Sequence, residues 1–146
     1  MNTNVKLANA SWEALFTAHT ALMRGFKEAD SWSEVSMSEY DVLYTLSKQR
    51  EAIRLADLRE GVLLSQPALS RLVDRLVCRG LISRVTDDSD RRAVRLALTD
   101  EGREVQRIAG MAHAADVARG MRALDDDEMR QLQRICEKLA QSTRPE

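Results

Sequence analysis

The sequence contains few of the residues that break helices or carry redox and catalytic chemistry. Its 146 residues include two prolines, six glycines, two cysteines and two histidines. Scarce proline favours long helices, because a proline inside a helix removes a hydrogen bond and clashes with the preceding turn. The cysteines form neither a CxxC pair nor a cysteine–histidine pair at metal spacing. This excludes a disulfide scaffold and a metal site of that kind, and it fits a reducing compartment.

Segments that direct a chain to a membrane are also missing. No apolar run reaches the ~18 residues that a membrane-spanning helix needs. The first residues, MNTNVKLANASWE, lack the apolar stretch of a signal peptide. We therefore predict a cytoplasmic protein without a membrane partner.

Sequence motifs of enzymes are absent as well. We find no glycine-rich phosphate loop, no G-x-S-x-G and no HExxH, and the two histidines lie far apart in the sequence. We predict neither catalysis nor a cofactor. Hydrophobic residues make up 44% of the chain, enough for a packed globular core.

Positive charge is concentrated in one part of the chain. The net charge of -1 argues against nonspecific nucleic-acid binding, because such proteins are usually basic throughout. Between Arg71 and Arg95, however, seven arginines outnumber four aspartates, so this segment carries +3 and the rest carries -4. This segment is therefore expected to meet an anionic partner.

Hydrophobic spacing predicts six helices and one β-hairpin. The helices span about 6–28, 37–50, 56–62, 66–79, 100–121 and the stretch after 125, with an extended piece at 53–55 and strands at 81–85 and 91–98. Ser36 with Glu39, and Asp125 with Glu128, have the spacing of capping boxes. Ser65 is predicted to cap the fourth helix.

The segment from 53 to 98 has the order of a winged helix-turn-helix: two short helices with a tight connection, then a hairpin. Leucines and valines of the fourth helix fall within an arc of about 140°, which is expected to be buried. The opposite face carries short side chains and arginines, including Arg79. Such residues fit a DNA groove, because short side chains allow close approach and arginine binds guanine or phosphate. The residues predicted to contact DNA here are Ser65, Gln66, Pro67, Ala68, Ser70, Arg71 and Arg75. The alternative is an exposed helix face with solvated arginines.

The tip of the hairpin joins acidic and basic residues. Arg91 and Arg92 are predicted to contact DNA, because the negative potential of a minor groove attracts an inserted arginine. Asp90 is predicted to support the wing by holding an arginine, since a carboxylate beside phosphate is repelled.

Several of these stretches together resemble the MarR family of bacterial regulators. They are S-x-x-E-Y-D-V-L from Ser36, LSRLVDRLVCRGLI from Leu69, and DRRAVRLALT from Asp90 with the T-x-x-G that follows. The resemblance extends from Trp12 to Leu139. One departure concerns the wing, where many members have D-x-R-D-x-R and this chain has Ser89 in place of the first arginine, which predicts a weaker wing contact.

The resemblance implies a mainly α-helical fold with a small β-hairpin wing and dimerisation helices at both ends. We expect an N-terminal dimerisation helix (1–34), a winged helix-turn-helix DNA-binding domain (35–99) and C-terminal dimerisation helices (100–146). The amphipathic terminal helices support a homodimer independently, because a small chain has too little protein to cover them. Such a dimer would place two recognition helices about 34 Å apart on a pseudo-palindromic operator.

The resemblance also implies control by an effector, with a repressor released by a small aromatic or drug-like ligand as the leading hypothesis. His19, Tyr40 and His113 are the candidate pocket residues, although each also suits ordinary packing. A redox-responsive repressor that uses Cys78, which has arginine neighbours, is an alternative. Cys136 is predicted to be buried core. A winged-helix module that binds protein is a further alternative.

Overall fold

The computed structural model describes residues 4–87, 89–90 and 93–145. Within these residues the chain forms six helices and three strands. In chain order they are α1 (Val5–Glu28), α2 (Met37–Ser47), β1 (Ile53–Arg54), α3 (Leu55–Glu60), α4 (Gln66–Cys78), β2 (Ile82–Thr86), β3 (Val94–Leu98), α5 (Asp100–Met121) and α6 (Asp126–Ser142). No helix in this part of the chain is both long and apolar enough to cross a membrane.

Five of the six helices in the described residues begin at a side chain that caps a free backbone N–H group; α3, which follows Arg54, is the exception. The Ser36 hydroxyl accepts from the Glu39 amide at 3.2 Å, and the Glu39 carboxylate accepts from the Ser36 amide at 2.9 Å. Asp125 and Glu128 make the same reciprocal pair at 2.8 and 3.1 Å. Both predicted capping boxes are confirmed, because capping depends only on residues three positions apart.

The core lies between α2, α3, α4 and the sheet. Its largest fully buried side chains come from these elements: Val42, Leu43, Leu58, Leu69, Leu76 and Ile82. By contrast, α1 and α6 contain no buried residue. The part of the chain from α2 to β3 therefore has a core of its own, and the terminal helices extend from it.

The sheet is antiparallel with the order β1-β3-β2. The hairpin of β2 and β3 was predicted, but the sheet has a third strand because Ile53 pairs with Leu96 and Arg54 with Arg95. Two residues of β1 are too few to show an alternating pattern in the sequence. In β3, Leu96 is buried, whereas Val94 at the outer end of the strand is 45% exposed.

A tight junction joins α4, β2 and α5. Gly80 follows α4 with φ +76°, a left-handed conformation that favours glycine. The Thr99 hydroxyl donates to the Gly80 carbonyl at 2.6 Å and accepts from the Gly102 amide at 2.9 Å. A Cβ atom on Gly102 would lie 2.0 Å from the carbonyl oxygen of Leu81. This contact explains the glycine of the T-x-x-G motif, since the start of α5 lies directly against the backbone of Leu81, the residue before β2.

The terminal helices leave apolar side chains uncovered. On α1, Trp12 is 61% and Phe16 56% exposed. The prediction that Cys136 is buried is wrong for the single chain, where this residue on α6 is only half-buried. No residue of α6 is buried by its own chain.

Candidate nucleic-acid interface

The start of α4 presents polar and short side chains to solvent. Ser65 caps the helix by accepting from the Ala68 amide at 3.3 Å, and Pro67 lies in the first turn. Gln66 and Pro67 are exposed, while Ala68 and Ser70 are half-buried. The low bulk of these residues allows close backbone approach, and the amino end of a helix attracts phosphate.

Arg71 and Arg75 lie on the exposed face of the same helix. The opposite face carries buried Leu72 and Leu76, so packing holds the helix in a fixed rotation. Neither arginine forms an ion pair with any residue in the described ranges. Both guanidinium groups are therefore available to an external anion or a base edge.

Two other arginines of this region are engaged within the chain. Arg79 donates to the Glu34 carbonyl at 2.6 Å and forms an ion pair with Glu39 at 3.4 Å. Helical periodicity had placed Arg79 on the DNA-facing side, but it caps the carboxyl end of α4 and reaches the loop before α2. Arg84 of β2 forms an ion pair with Asp74 of α4. These contacts restrain α4 and the hairpin relative to each other and to α2.

The base of the wing is organised around Asp87, which is 5% exposed. One carboxylate oxygen accepts from Arg54 at 2.9 Å and from Arg95 at 3.0 Å. The other oxygen accepts from the amide and the hydroxyl of Ser89 at 3.0 and 2.7 Å. The Ser89 hydroxyl and the Arg54 guanidinium hold the pKa of Asp87 well below its usual range. We call Asp87, Arg54, Arg95 and Ser89 the wing-base cluster. This cluster joins the wing to β1.

Sequence reasoning missed Arg54 and Asp87 as wing-positioning residues. Asp87 lies in the predicted turn just after a strand, which is only a weak signal, and its pairing with a residue 33 positions earlier depends on the tertiary fold. Ser89, which replaces the family arginine, completes the cluster by binding Asp87.

The structure describes only part of the wing tip. Arg91 and Arg92 lie outside the described residues. Asp90 is exposed, and its carbonyl accepts from the Ala93 amide at 3.0 Å. The charge of Asp90 also contributes to the raised pKa of Arg54, after the hydrogen bond and the charge of Asp87. Its role in holding an arginine for DNA stays a prediction.

Two of the three candidate effector residues meet at the junction of α1, α2 and α5. The ring centroids of Tyr40 and His113 are 5.4 Å apart, and Phe26 and Trp32 also pack on His113 at 5.3 and 5.2 Å. Within the described residues, the buried Nδ1 atom of His113 has no hydrogen-bond partner. His19 makes none of these contacts. It is exposed on α1, seven residues and roughly 10 Å along the helix from Phe26.

An open groove adjoins this aromatic cluster, with a volume of about 590 Å³. Tyr40 lies at one side of this groove. Burial raises the pKa of its hydroxyl, which therefore keeps its proton. The lining residues include Tyr40, Tyr44, Gln106, Met111 and His113. The groove lies between α2 and α5. Cys78 lies elsewhere, exposed at the last position of α4.

Known proteins similar to the chain are transcription regulators. The sequence model of the MarR family matches residues 35–94. The HTH-type transcriptional repressor MdtR of Bacillus subtilis (strain 168) is 33% identical over 110 residues, which cover 74% of this chain and 69% of that protein.

Solved structures show the same fold. A MarR family transcriptional regulator from Streptomyces coelicolor in complex with DNA superposes with a TM-score of 0.80 at 24% identity, covering 99% of this chain and 92% of the other. Bordetella bronchiseptica BpsR, whose DNA binding is regulated by 6-hydroxynicotinic acid, gives a TM-score of 0.76 at 22% identity, with 88% and 91% covered. The predicted winged-helix fold is confirmed.

Proposed function

Since this chain belongs to the MarR family of transcription regulators, we propose that it is a homodimeric repressor of a pseudo-palindromic DNA operator, released by a small aromatic or drug-like effector. The observation that carries the DNA-binding part is the exposed pair Arg71 and Arg75. They lie on a helix whose other face is locked into the core, and they are free of ion pairs with the described residues.

We place α4 in the major groove. Its capped amino end supplies backbone N–H groups to a phosphate, and Ser65 and Gln66 lie beside that end. Arg71 and Arg75, one turn apart, suit guanine O6 and N7 or neighbouring phosphates. The hairpin extends beside the helix, and Arg91 and Arg92 at its tip are assigned to the backbone or the minor groove on the sequence alone.

The dimer is supported by apolar surface on the terminal helices. Side chains more than half exposed are found there on α1, α5 and α6: Val5, Leu7, Trp12, Phe16, Ile108, Met111 and Leu139. A concentration of exposed apolar side chains marks an interaction site on a soluble protein. A second copy presents the same helices, so a twofold arrangement buries them and sets two α4 helices about 34 Å apart, one turn of DNA.

The effector is assigned to the groove beside Tyr40 and His113. Aromatic rings stack well on such a cluster, and a polar group of the ligand gives the buried Nδ1 of His113 a partner. The loop before α2 is tied to α5 through a hydrogen bond from Ser31 to the buried carboxylate of Asp116. A ligand inserted here therefore acts on the contact between α2 and α5, and so on the spacing of the recognition helices.

Redox control through Cys78 is the second candidate. The thiol is exposed on α4 itself, so oxidation would add bulk and polarity to the recognition helix. In this case peroxide, rather than an aromatic ligand, releases the DNA.

The first test is fluorescence-anisotropy binding to the DNA upstream of the protein's own gene, at physiological salt, with a scrambled duplex as control. Tight binding of one dimer per site that is lost on scrambling supports the regulator. Release by salicylate supports the aromatic effector, and release by peroxide supports Cys78. Equal and weak binding to both duplexes contradicts recognition of that site and favours another operator or a protein partner.

Variants make the test specific. Tyr40→Ala is expected to lower the sensitivity to an aromatic effector while the protein still binds the operator. Arg92→Ala is expected to weaken DNA binding and reduce the salt dependence by about one phosphate contact. If Arg92→Ala keeps the full salt dependence, the wing assignment is wrong.

A further inference from the structure

The turn between α3 and α4 holds three apolar residues in a row, Val62, Leu63 and Leu64. Val62 and Leu64 pack against the core cluster. Leu63 between them is 98% exposed, the highest value among the exposed large hydrophobic side chains of the described residues. Burial of Val62 and Leu64 therefore stabilises the fold, whereas Leu63 contributes almost nothing to the stability.

The backbone around Leu63 is held at both ends. The amides of Gly61 and Val62 donate to the carbonyls of Leu58 and Arg59 at 3.1 and 3.3 Å, which closes the end of α3. Two residues after Leu63, the Ser65 cap begins α4. The turn thus presents this side chain at a defined position beside the amino end of the recognition helix.

The location of Leu63 sets it apart from the other exposed apolar residues. Among the large hydrophobic side chains of the described residues that are more than half exposed, all others lie on α1, α5 or α6, where a second copy accounts for them. Leu63 lies within the helix-turn-helix instead, next to exposed Gln66 and Pro67. The surface that the recognition helix meets is therefore the one that would cover Leu63.

We propose that Leu63 is a specificity-determining residue that packs against a thymine methyl group at the edge of each operator half-site. The assignment rests on the proposed DNA-binding function. A leucine side chain gains nothing from a phosphate, whereas the C5 methyl of thymine is the apolar group that a base pair displays in the major groove. Leu63 would thus add an A·T preference beside the positions read by Arg71 and Arg75.

The test pairs Leu63→Ala with uracil substitution in the operator identified above, because uracil lacks only the thymine methyl. In the wild-type protein, uracil at one symmetric pair of thymines is expected to weaken binding about fourfold per half-site, the effect of one buried methyl group. Leu63→Ala should weaken binding to the normal operator by at least this factor and be indifferent to uracil at that pair. Its melting temperature should equal that of the wild type, because the side chain is exposed.

The outcomes separate the two proposals. If Leu63→Ala binds the normal operator as tightly as the wild type, or keeps the full penalty for uracil, the inference about Leu63 is overturned while the regulator stands. If the wild-type protein is insensitive to uracil at every thymine, the methyl contact is likewise refuted. If the wild-type protein binds no specific DNA, the proposed function fails and the inference with it.

Discussion

The backbone contact between α5 and Leu81, the residue before β2, makes Gly102 the most sharply testable position for the fold. An alanine there would place its Cβ 2.0 Å from the carbonyl oxygen and 2.9 Å from the carbonyl carbon of Leu81. Both are backbone atoms, so a side-chain rotation cannot relieve the overlap. The Leu81 carbonyl also accepts from the Thr99 amide at 3.1 Å, and the Gly102 amide donates to the Thr99 hydroxyl at 2.9 Å. Separating α5 from β2 therefore disturbs the cap of α5.

The expected cost follows from these contacts. Overpacking a well-packed site costs about 1–3 kcal/mol, and losing a threonine cap adds about 1 kcal/mol. The higher helix propensity of alanine offsets at most about 1 kcal/mol. After this offset we expect Gly102→Ala to lower the free energy of unfolding by about 1–3 kcal/mol, or the melting temperature by roughly 3–12 °C for a chain of this size.

Urea unfolding followed by circular dichroism measures this change. The variants must be compared at one protein concentration, since the stability of a dimer depends on concentration. Gly25→Ala in α1 is the matched control. A Cβ there meets no atom within 4 Å, so alanine is expected to raise stability by about 0.5–1 kcal/mol through helix propensity. An unchanged or higher urea midpoint for Gly102→Ala would refute the close contact.

Three further predictions concern the DNA-binding segment. Arg75→Ala should weaken operator binding by about 1–3 kcal/mol without changing the melting temperature. Arg144→Ala, which removes the same charge beyond α6, should change neither the operator affinity nor the melting temperature. Equal losses of operator affinity in the two variants would show that Arg75 does not contact DNA. The lowered pKa of Asp87 means that its stabilising effect is present above the ordinary aspartate pKa of 3.8 and is lost as the pH falls below it. Wild-type melting temperatures should therefore fall more steeply in acid than those of Asp87→Asn, and parallel curves would contradict the wing-base cluster. Cys78→Ser should bind DNA normally under reducing conditions and should abolish any release by peroxide; a response that persists in this variant excludes Cys78 as the sensor.

The wing-base cluster bears on how this chain tolerates Ser89 in place of the family arginine. The serine removes a positive charge from the wing but donates its amide and hydroxyl to Asp87. The same carboxylate binds Arg54 and Arg95, so the three donors together fix the start of the wing against β1. We expect the contribution of Ser89 to lie in the position of the wing rather than in a contact with phosphate.

Local features of the chain were determined by the sequence itself. The capping boxes at Ser36 and Asp125 and the cap at Ser65 join residues three positions apart, so their spacing alone predicts where the helices begin. The amphipathic pattern of α4 identified its buried leucines and its exposed Arg71 and Arg75 for the same reason, because a helix repeats every 3.6 residues.

Contacts between distant residues were decided only by the tertiary structure. The pairing of Asp87 with Arg54, the turn of Arg79 toward Glu34, and the meeting of Phe26 with His113 all join residues far apart in sequence. Periodicity assigns a residue to a face of its own helix but does not identify what lies opposite that face. For the same reason the sequence could not distinguish Leu63 from its buried neighbours, because its exposure depends on which side of the turn the rest of the fold covers.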